Sequence, residues 1–296
     1  MRAHPAGTDV RWRTDNCSAR SYTARALGQM PGVNLPLMKT SFHRRRAHYG
    51  SISKKERHGM PQVTKVNNRG ENQVLALLPQ GDRKRILARC ERISLDIKTI
   101  LYEANGGISD VYFPLGGMVS LVLNTRDGQT IEVGTIGNEG MVGTPLVLGA
   151  DKSPVEVLIQ VAGDLLRMPA KDFLRELKRS RVLREVAQRF AQALMTQISQ
   201  SVACNRVHPV EERICRWLLM THDRVGLDNM VLTQQFVSQM LGVRRPSVTV
   251  VAGELQRAGL IKYSRGKMTI LNRKGLEAGA CECYQIVRRE SERLLA

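Results

Sequence analysis

Arg244, Arg245, Ser247 and Thr249 lie within six residues of one another, and a second basic group, Lys262, Arg265 and Lys267, follows shortly after. A guanidinium offers a fork of donors that matches O6 and N7 of guanine, hydroxyls reach other base edges, and scattered cations hold phosphates. That chemistry assigns Arg245, Ser247 and Thr249 to base edges and Arg244, Arg265 and Lys267 to the duplex backbone. Thr233, just upstream, completes the expected DNA-binding set.

Such groups work only if a rigid element presents them, and residues 232–271 read as one. Thr233 is a good N-cap, and 234–241 then form a short helix with Phe236, Val237, Met240 and Leu241 on its inner side. Gly242 falls at a sharp turn that requires positive φ. Pro246 suits the first turn of the next helix, where a missing N–H costs nothing. Val248, Val251, Ala252 and Leu255 recur at helical spacing, and Gly259 closes the helix. Ser264-Arg265-Gly266 turns between two short strands. The order is a helix-turn-helix with a basic wing. A plain helical hairpin with a solvated basic end explains the arginines alone, and cations at a helix start oppose the macrodipole. It does not explain cap, turn, spacing and wing together.

The 296 residues are enough for two domains with cores of their own. The net charge of +18 is uneven: +11 over residues 1–70, +2 over 71–206 and +5 over 207–296. Residues 1–70, basic and poor in periodic apolar content, read as a disordered extension. It suits a DNA-contacting arm, an organelle transit peptide, or a translated upstream stretch with Met60 as the natural start; the last is favoured, because periodic structure begins only after Asn72. Cys17, Cys90, Cys204, Cys215, Cys281 and Cys283 contain no CxxC pair, so the usual zinc and iron–sulfur spacings are missing. They read as reduced, buried or incidental thiols, with redox sensing by Cys281 and Cys283 the lesser reading. Neither metal nor cofactor is expected. No apolar run has membrane-spanning length and no export signal is visible, so the expected compartment is the cytoplasm.

Between the extension and the basic end, two short helices are expected near 72–79 and 82–90. Short strands follow at 93–97, 99–102, 110–114, 118–124, 129–136, 156–162 and 165–168, with Asp127-Gly128 as a hairpin turn. This texture predicts a small sandwich or jelly-roll barrel. A short helix at 171–178 leads to a long one from 181 to about 206, carrying Leu183, Val186, Phe190, Leu194, Ile198 and Val202 as a stripe. The stripe is long enough to serve two surfaces, a barrel face and a partner helix, although burial on its own domain alone would also account for it. A homodimer is preferred, with Leu183, Val186, Phe190, Leu194 and Ile198 at its interface, because paired half-sites raise affinity and specificity. A helix over 210–221 should pack Ile214, Trp217 and Leu218 against the helix-turn-helix.

The predicted fold class is therefore α+β: a double-stranded β-helix (jelly-roll) domain at 72–180, a dimerisation helix at 181–206, a winged helix-turn-helix at 207–280 and a tail helix at 281–296. This order resembles the Crp/Fnr family of transcription regulators over about residues 72–275. The likeness is strongest at PVEERICRWLL, LTQQFVSQMLGVRRPSVTVVAGELQRAGLI and KYSRGKMTIL, while ILYEANGGISDVYFPLGGMVSLVL and VAGDLLRMPAKDFLREL match the roll in texture. The resemblance implies an Arg-Glu-x-x-x-Arg code on the recognition helix. Arg245 matches its first arginine, Pro246 stands for the glutamate and Val250 for the second arginine, so the base code differs. It also implies a cyclic-nucleotide pocket with a glutamate for the ribose and an arginine for the phosphate. Here Glu139, Lys152 and Ser153 occupy the corresponding stretches, no arginine is present, and Pro154 removes a backbone donor. The expected pocket is degenerate, and the oxygen sensors' N-terminal cysteine cluster is missing too.

These readings predict a sequence-specific homodimeric regulator that binds double-stranded DNA, contacts RNA polymerase and answers an unidentified effector by population shift between two arrangements of its long helices. In an alternative, the roll is only a dimerisation and polymerase-contact scaffold. Catalysis is disfavoured: four of the six histidines, at 4, 43, 48 and 58, lie in the extension. His208 and His222 have no nucleophile motif beside them, and Glu211-Glu212 read as a helix-start pair.

Overall fold

The structure, a computed structural model, describes residues 70–295. The basic extension, with Cys17 and the Met60 start, lies outside the described residues except for Gly70. The described part falls within one compact unit.

Two short helices open it, α1 (Gln73–Ala76) and α2 (Gln80–Leu87). Asn72 starts α1: its side chain accepts from the Leu75 N–H and donates to the Pro114 and Gly140 carbonyls, which ties the entry to the roll. The roll consists of β1 (Glu91–Leu95), β2 (Ile100–Tyr102), β3 (Asp110–Pro114), β4 (Met118–Asn124), β5 (Thr130–Ile136), a helical turn α3 (Thr144–Val147), β6 (Glu156–Val161) and β7 (Gly163–Pro169). Its strands form two antiparallel sheets, in the orders β1-β7-β3 and β2-β6-β4-β5. The inner faces bury Val111, Phe113, Val119, Ile136, Ile159, Leu165 and Met168 in one core. Gly128, at φ 80°, closes the β4–β5 hairpin where the Asp127-Gly128 turn is expected.

Helix α4 (Ala170–Arg179) leads through Ser180, whose hydroxyl caps Leu183 N–H, into α5 (Arg181–Val207). The stripe expected to meet a partner helix meets the roll. Leu183, Val186, Phe190 and Leu194 are all buried in the roll's own core and Ile198 packs beside them, so this stripe is not left over for a partner helix. The solvent side of α5 instead carries Gln188, Gln192, Met195, Ser199, Val202 and Arg206 at alternating four- and three-residue steps. Met195 and Val202 are 55% and 66% exposed.

The C-terminal part comprises α6 (Val210–Val225), β8 (Asn229–Val231), α7 (Gln234–Leu241), α8 (Arg245–Arg257), β9 (Ile261–Ser264), β10 (Lys267–Ile270) and α9 (Arg273–Gly279). The three strands pair as β8-β10-β9. A second core joins Ile214, Trp217 and Leu218 of α6 to Val237, Leu241, Val248, Val251 and Leu255, and β4 of the roll contributes Val122 to it. Helix α10 (Cys283–Leu295) then runs back antiparallel along α5, from Cys283 beside Gln200 and His208 to Leu294 near Gln188 and Gln192. Among the described residues no helix is long and apolar enough to cross a membrane.

Candidate nucleic-acid interface

The DNA-reading end is built from two helix ends and a hairpin. Thr233 caps α7 by accepting from the Phe236 N–H at 3.1 Å, so its oxygen is already engaged. Gly242 ends α7 at φ 61°, with Gly242 N–H on Gln239 O and Val243 N–H on Ser238 O, the bond pair of a left-handed helix stop. The chain reverses there and α8 starts with Arg244 at its N-cap and Pro246 in its first turn. Gly259, at φ 70°, closes α8 the same way, donating to Gln256 O while Leu260 N–H reaches Leu255 O.

Burial of Val248, Val251, Ala252 and Leu255 turns the opposite face of α8 outward. Arg244, Arg245 and Thr249 are exposed and Ser247 is half-buried. The Thr249 hydroxyl lies 2.8 Å from Gln234 Oε1 and 3.1 Å from the Arg245 carbonyl, and its single proton serves one at a time. Gln234 thus sits beside Thr249 at the start of α7, although sequence reasoning passed over it. Val250, which sequence reasoning set opposite the family's second arginine without counting it among the base-reading residues, is 59% exposed on the outer face of α8, where an isopropyl group suits a thymine methyl. Its place between buried Val248 and Val251 was the available signal.

The wing is the β9–β10 hairpin. Arg265 and Gly266 adopt φ 49° and 76°, a pair of left-handed residues of the kind two-residue hairpins require. Arg265 and Lys267 are exposed at its tip and Lys262 on its strand. The expected set around the recognition helix and wing therefore shares one exposed end.

The roll and this end are joined by polar contacts as well as by Val122. Trp217 Nε1 donates to Glu132 on β5 at 2.8 Å, and Ser120 donates to the same carboxylate at 2.6 Å. Burial outweighs these bonds and pushes the Glu132 carboxyl up to about 7. Arg224 of α6 pairs with Glu139 at 2.9 Å and donates to Gln197 of α5 at 2.7 Å.

That pairing corrects the expected nucleotide pocket. Glu139 is held by Arg224 and by the Gly137 N–H. Ser153 is buried and donates to Val155 O at 2.6 Å, and Lys152 points to solvent on the exposed surface. The three do not converge. The cavity between roll and α5 is about 160 Å³ and lined by Tyr102, Leu121, Val142, Leu148, Met195 and Ile198, among others, with no charged side chain.

The cysteines also depart from expectation. Cys204, His208, Cys281 and Cys283 come together, with all their ligating atoms within 4.8 Å of one another. An S–H bond from Cys281 outweighs burial and pulls the Cys204 thiol well below the usual thiol range, with help from Arg216. The signal was Cys-x-x-x-His on one helix face plus a distant Cys-x-Cys, which no single linear motif contains. Cys90 and Cys215 lie elsewhere, each raised to about 11 by burial.

A double-sheet roll, a long helix and a winged helix-turn-helix with an exposed basic reading end define a DNA-binding transcription regulator. Residues 92–180 match the cyclic nucleotide-binding domain and residues 212–278 the Crp-like helix-turn-helix domain, and the chain belongs to the Crp/Fnr family of transcription regulators. Its fold is similar to that of FixK2 from Bradyrhizobium japonicum (TM-score 0.56, 13% identity, covering 65% of this chain and 98% of that one). It is also similar to the c-di-GMP responsive global regulator CLP of Xanthomonas campestris (0.51, 17%, 65% and 99%) and to a CRP-family regulator from Thermus thermophilus (0.50, 18%, 64% and 96%). No curated protein matches the chain in sequence.

Proposed function

We propose that this regulator binds a two-half-site operator as a homodimer, with Arg245, Ser247, Thr249 and Val250 reading bases and Arg244, Arg265 and Lys267 holding phosphates. The observation that carries the reading is the common exposure of these groups at one end of α8 and at the wing, above a fully buried helix face. The dimer seam is the outer stripe of α5 centred on Met195 and Val202, whose four- and three-residue steps suit a paired helix. A contact with RNA polymerase is expected of a transcription regulator of this build.

The roll is read as a scaffold rather than as a cyclic-nucleotide sensor. A cyclic phosphate needs a forked or charged donor, and the cavity wall offers none. Its volume is also below the roughly 300 Å³ at which pockets for such ligands begin. The β4–β5 hairpin instead shares a cleft with Arg244 and Arg245, through Gln129 and Thr130. A change in the roll would therefore be felt beside the reading end.

Selection of bound duplexes from a random pool with the full chain tests this. The expected product is an inverted repeat with half-sites about one helical turn apart, unchanged by cyclic nucleotides. Equal, weak binding to every duplex would overturn the proposal.

A further inference from the structure

We propose that Cys204, His208, Cys281 and Cys283 form a mononuclear tetrahedral metal site, best suited to zinc. Cys204 and His208 stand one turn apart at the end of α5, and Cys281 and Cys283 flank the start of α10. The three cysteines are buried and His208 is largely shielded. Cys204 Sγ lies 3.5 Å from Cys281 Sγ, and Cys283 Sγ lies 3.5 Å from His208 Nδ1. With metal–sulfur bonds of about 2.3 Å and metal–nitrogen bonds of about 2.0 Å, the edges of a coordination tetrahedron are about 3.5–3.8 Å. These two edges match a single ion, and the remaining ligand pairs, all within 4.8 Å, need only small side-chain movements to close on it. A polynuclear iron–sulfur cluster places its own irons and sulfides between the thiolates and spreads them wider.

The surroundings suit the ion. His208 Nε2 lies 3.2 Å from the Glu282 carboxylate, which holds the proton on Nε2 and leaves the Nδ1 lone pair toward the cysteines, the carboxylate–histidine arrangement of ligating imidazoles. Gln200 donates to Cys283 Sγ at 3.1 Å. Arg213 and Arg216 are 7% and 5% exposed on α6. Arg213 has no carboxylate partner among the described residues and feels the charge of Cys204 and Cys281. Three thiolates and a neutral imidazole around a divalent ion carry one net negative charge, which these buried guanidiniums offset. Bound to the ion all three cysteines are thiolates, so binding releases only the protons that the metal-free thiols still carry: with Cys204 already ionised, one ion displaces the protons of Cys281 and Cys283. The ion would fasten α10 to the end of α5, one residue before the linker Pro209 that starts α6.

The test uses the full chain, purified without added metal, stripped with a chelator under reducing conditions and titrated with cobalt and zinc chlorides. The expected result is one cobalt per chain, with thiolate-to-metal charge transfer and strong tetrahedral ligand-field bands that zinc abolishes. Cys281→Ser with Cys283→Ser should remove them. Glu282→Gln should weaken zinc affinity about tenfold while leaving the spectrum tetrahedral, and Cys90→Ser should change nothing. Because a cysteine variant can simply misfold, melting of the unaltered chain is measured with and without zinc, and a rise in Tm on adding zinc is expected. Less than stoichiometric cobalt, octahedral spectra without charge transfer, iron with sulfide as the native content, or a Cys204–Cys281 disulfide as the only change would each overturn the assignment.

Discussion

The indole N–H of Trp217 donates to the carboxylate of Glu132 across 2.8 Å, from the first helix of the DNA-binding part to a strand of the roll. Glu132 is thus one of the polar links between the two cores, beside the Arg224–Glu139 pair, and its protonation state bears on how firmly they adhere.

That link makes stability depend on pH. Burial raises the Glu132 carboxyl from 4.5 to about 7, so between these values the folded chain holds a proton that the unfolded chain has lost. Folding is then favoured at the low end, and this contribution fades as pH rises from about 4.5 through about 7. Melting curves across that window should show Tm of the unaltered chain declining relative to Glu132→Gln. Parallel pH profiles for the two proteins would refute the assignment.

Loss of Arg245 and loss of Arg265 should be distinguishable in binding assays on the selected operator. Arg245→Ala should cost about 1–3 kcal/mol and relax preference at one base pair. Arg265→Ala should weaken all duplexes alike and reduce the slope of log K against log salt by about one.

The two faces of α5 should respond differently to a charge. Val202→Glu places a carboxylate on the exposed stripe and should dissociate the proposed dimer in sedimentation experiments while changing the stability of the monomer by no more than about 0.5 kcal/mol. Leu183→Glu buries the charge in the roll core and should prevent folding. A dimer that survives Val202→Glu removes this stripe as the seam.

Gly140 marks where roll and α5 meet most tightly. A Cβ there would collide with the ring of Phe190. Gly140→Ala should therefore destabilise the chain by about 1–3 kcal/mol, read by thermal melting, whereas Gly253→Ala, with open space around it and a helical backbone, should be neutral or slightly stabilising.

The sequence alone determined the features that follow from local rules. Thr233, Gly242, Pro246 and Gly259 each satisfy a backbone requirement within a few residues, so α7, the turn and α8 were legible, as were the hairpins at Gly128 and Gly266 and most strand limits in the roll. The exposed face of α8 was legible too, because an apolar helical period names the opposite face by subtraction. The tertiary structure decided whatever joins distant segments. Period alone shows that Leu183, Val186, Phe190 and Leu194 need cover but not which surface gives it, and the roll turned out to be that surface. Glu139 has the spacing of a ribose ligand, yet Arg224, 85 positions later, satisfies its charge. Cys204 and Cys281 stand 77 positions apart, and only the return of α10 along α5 makes them neighbours, since a through-space coordination shell leaves no fixed spacing in the chain.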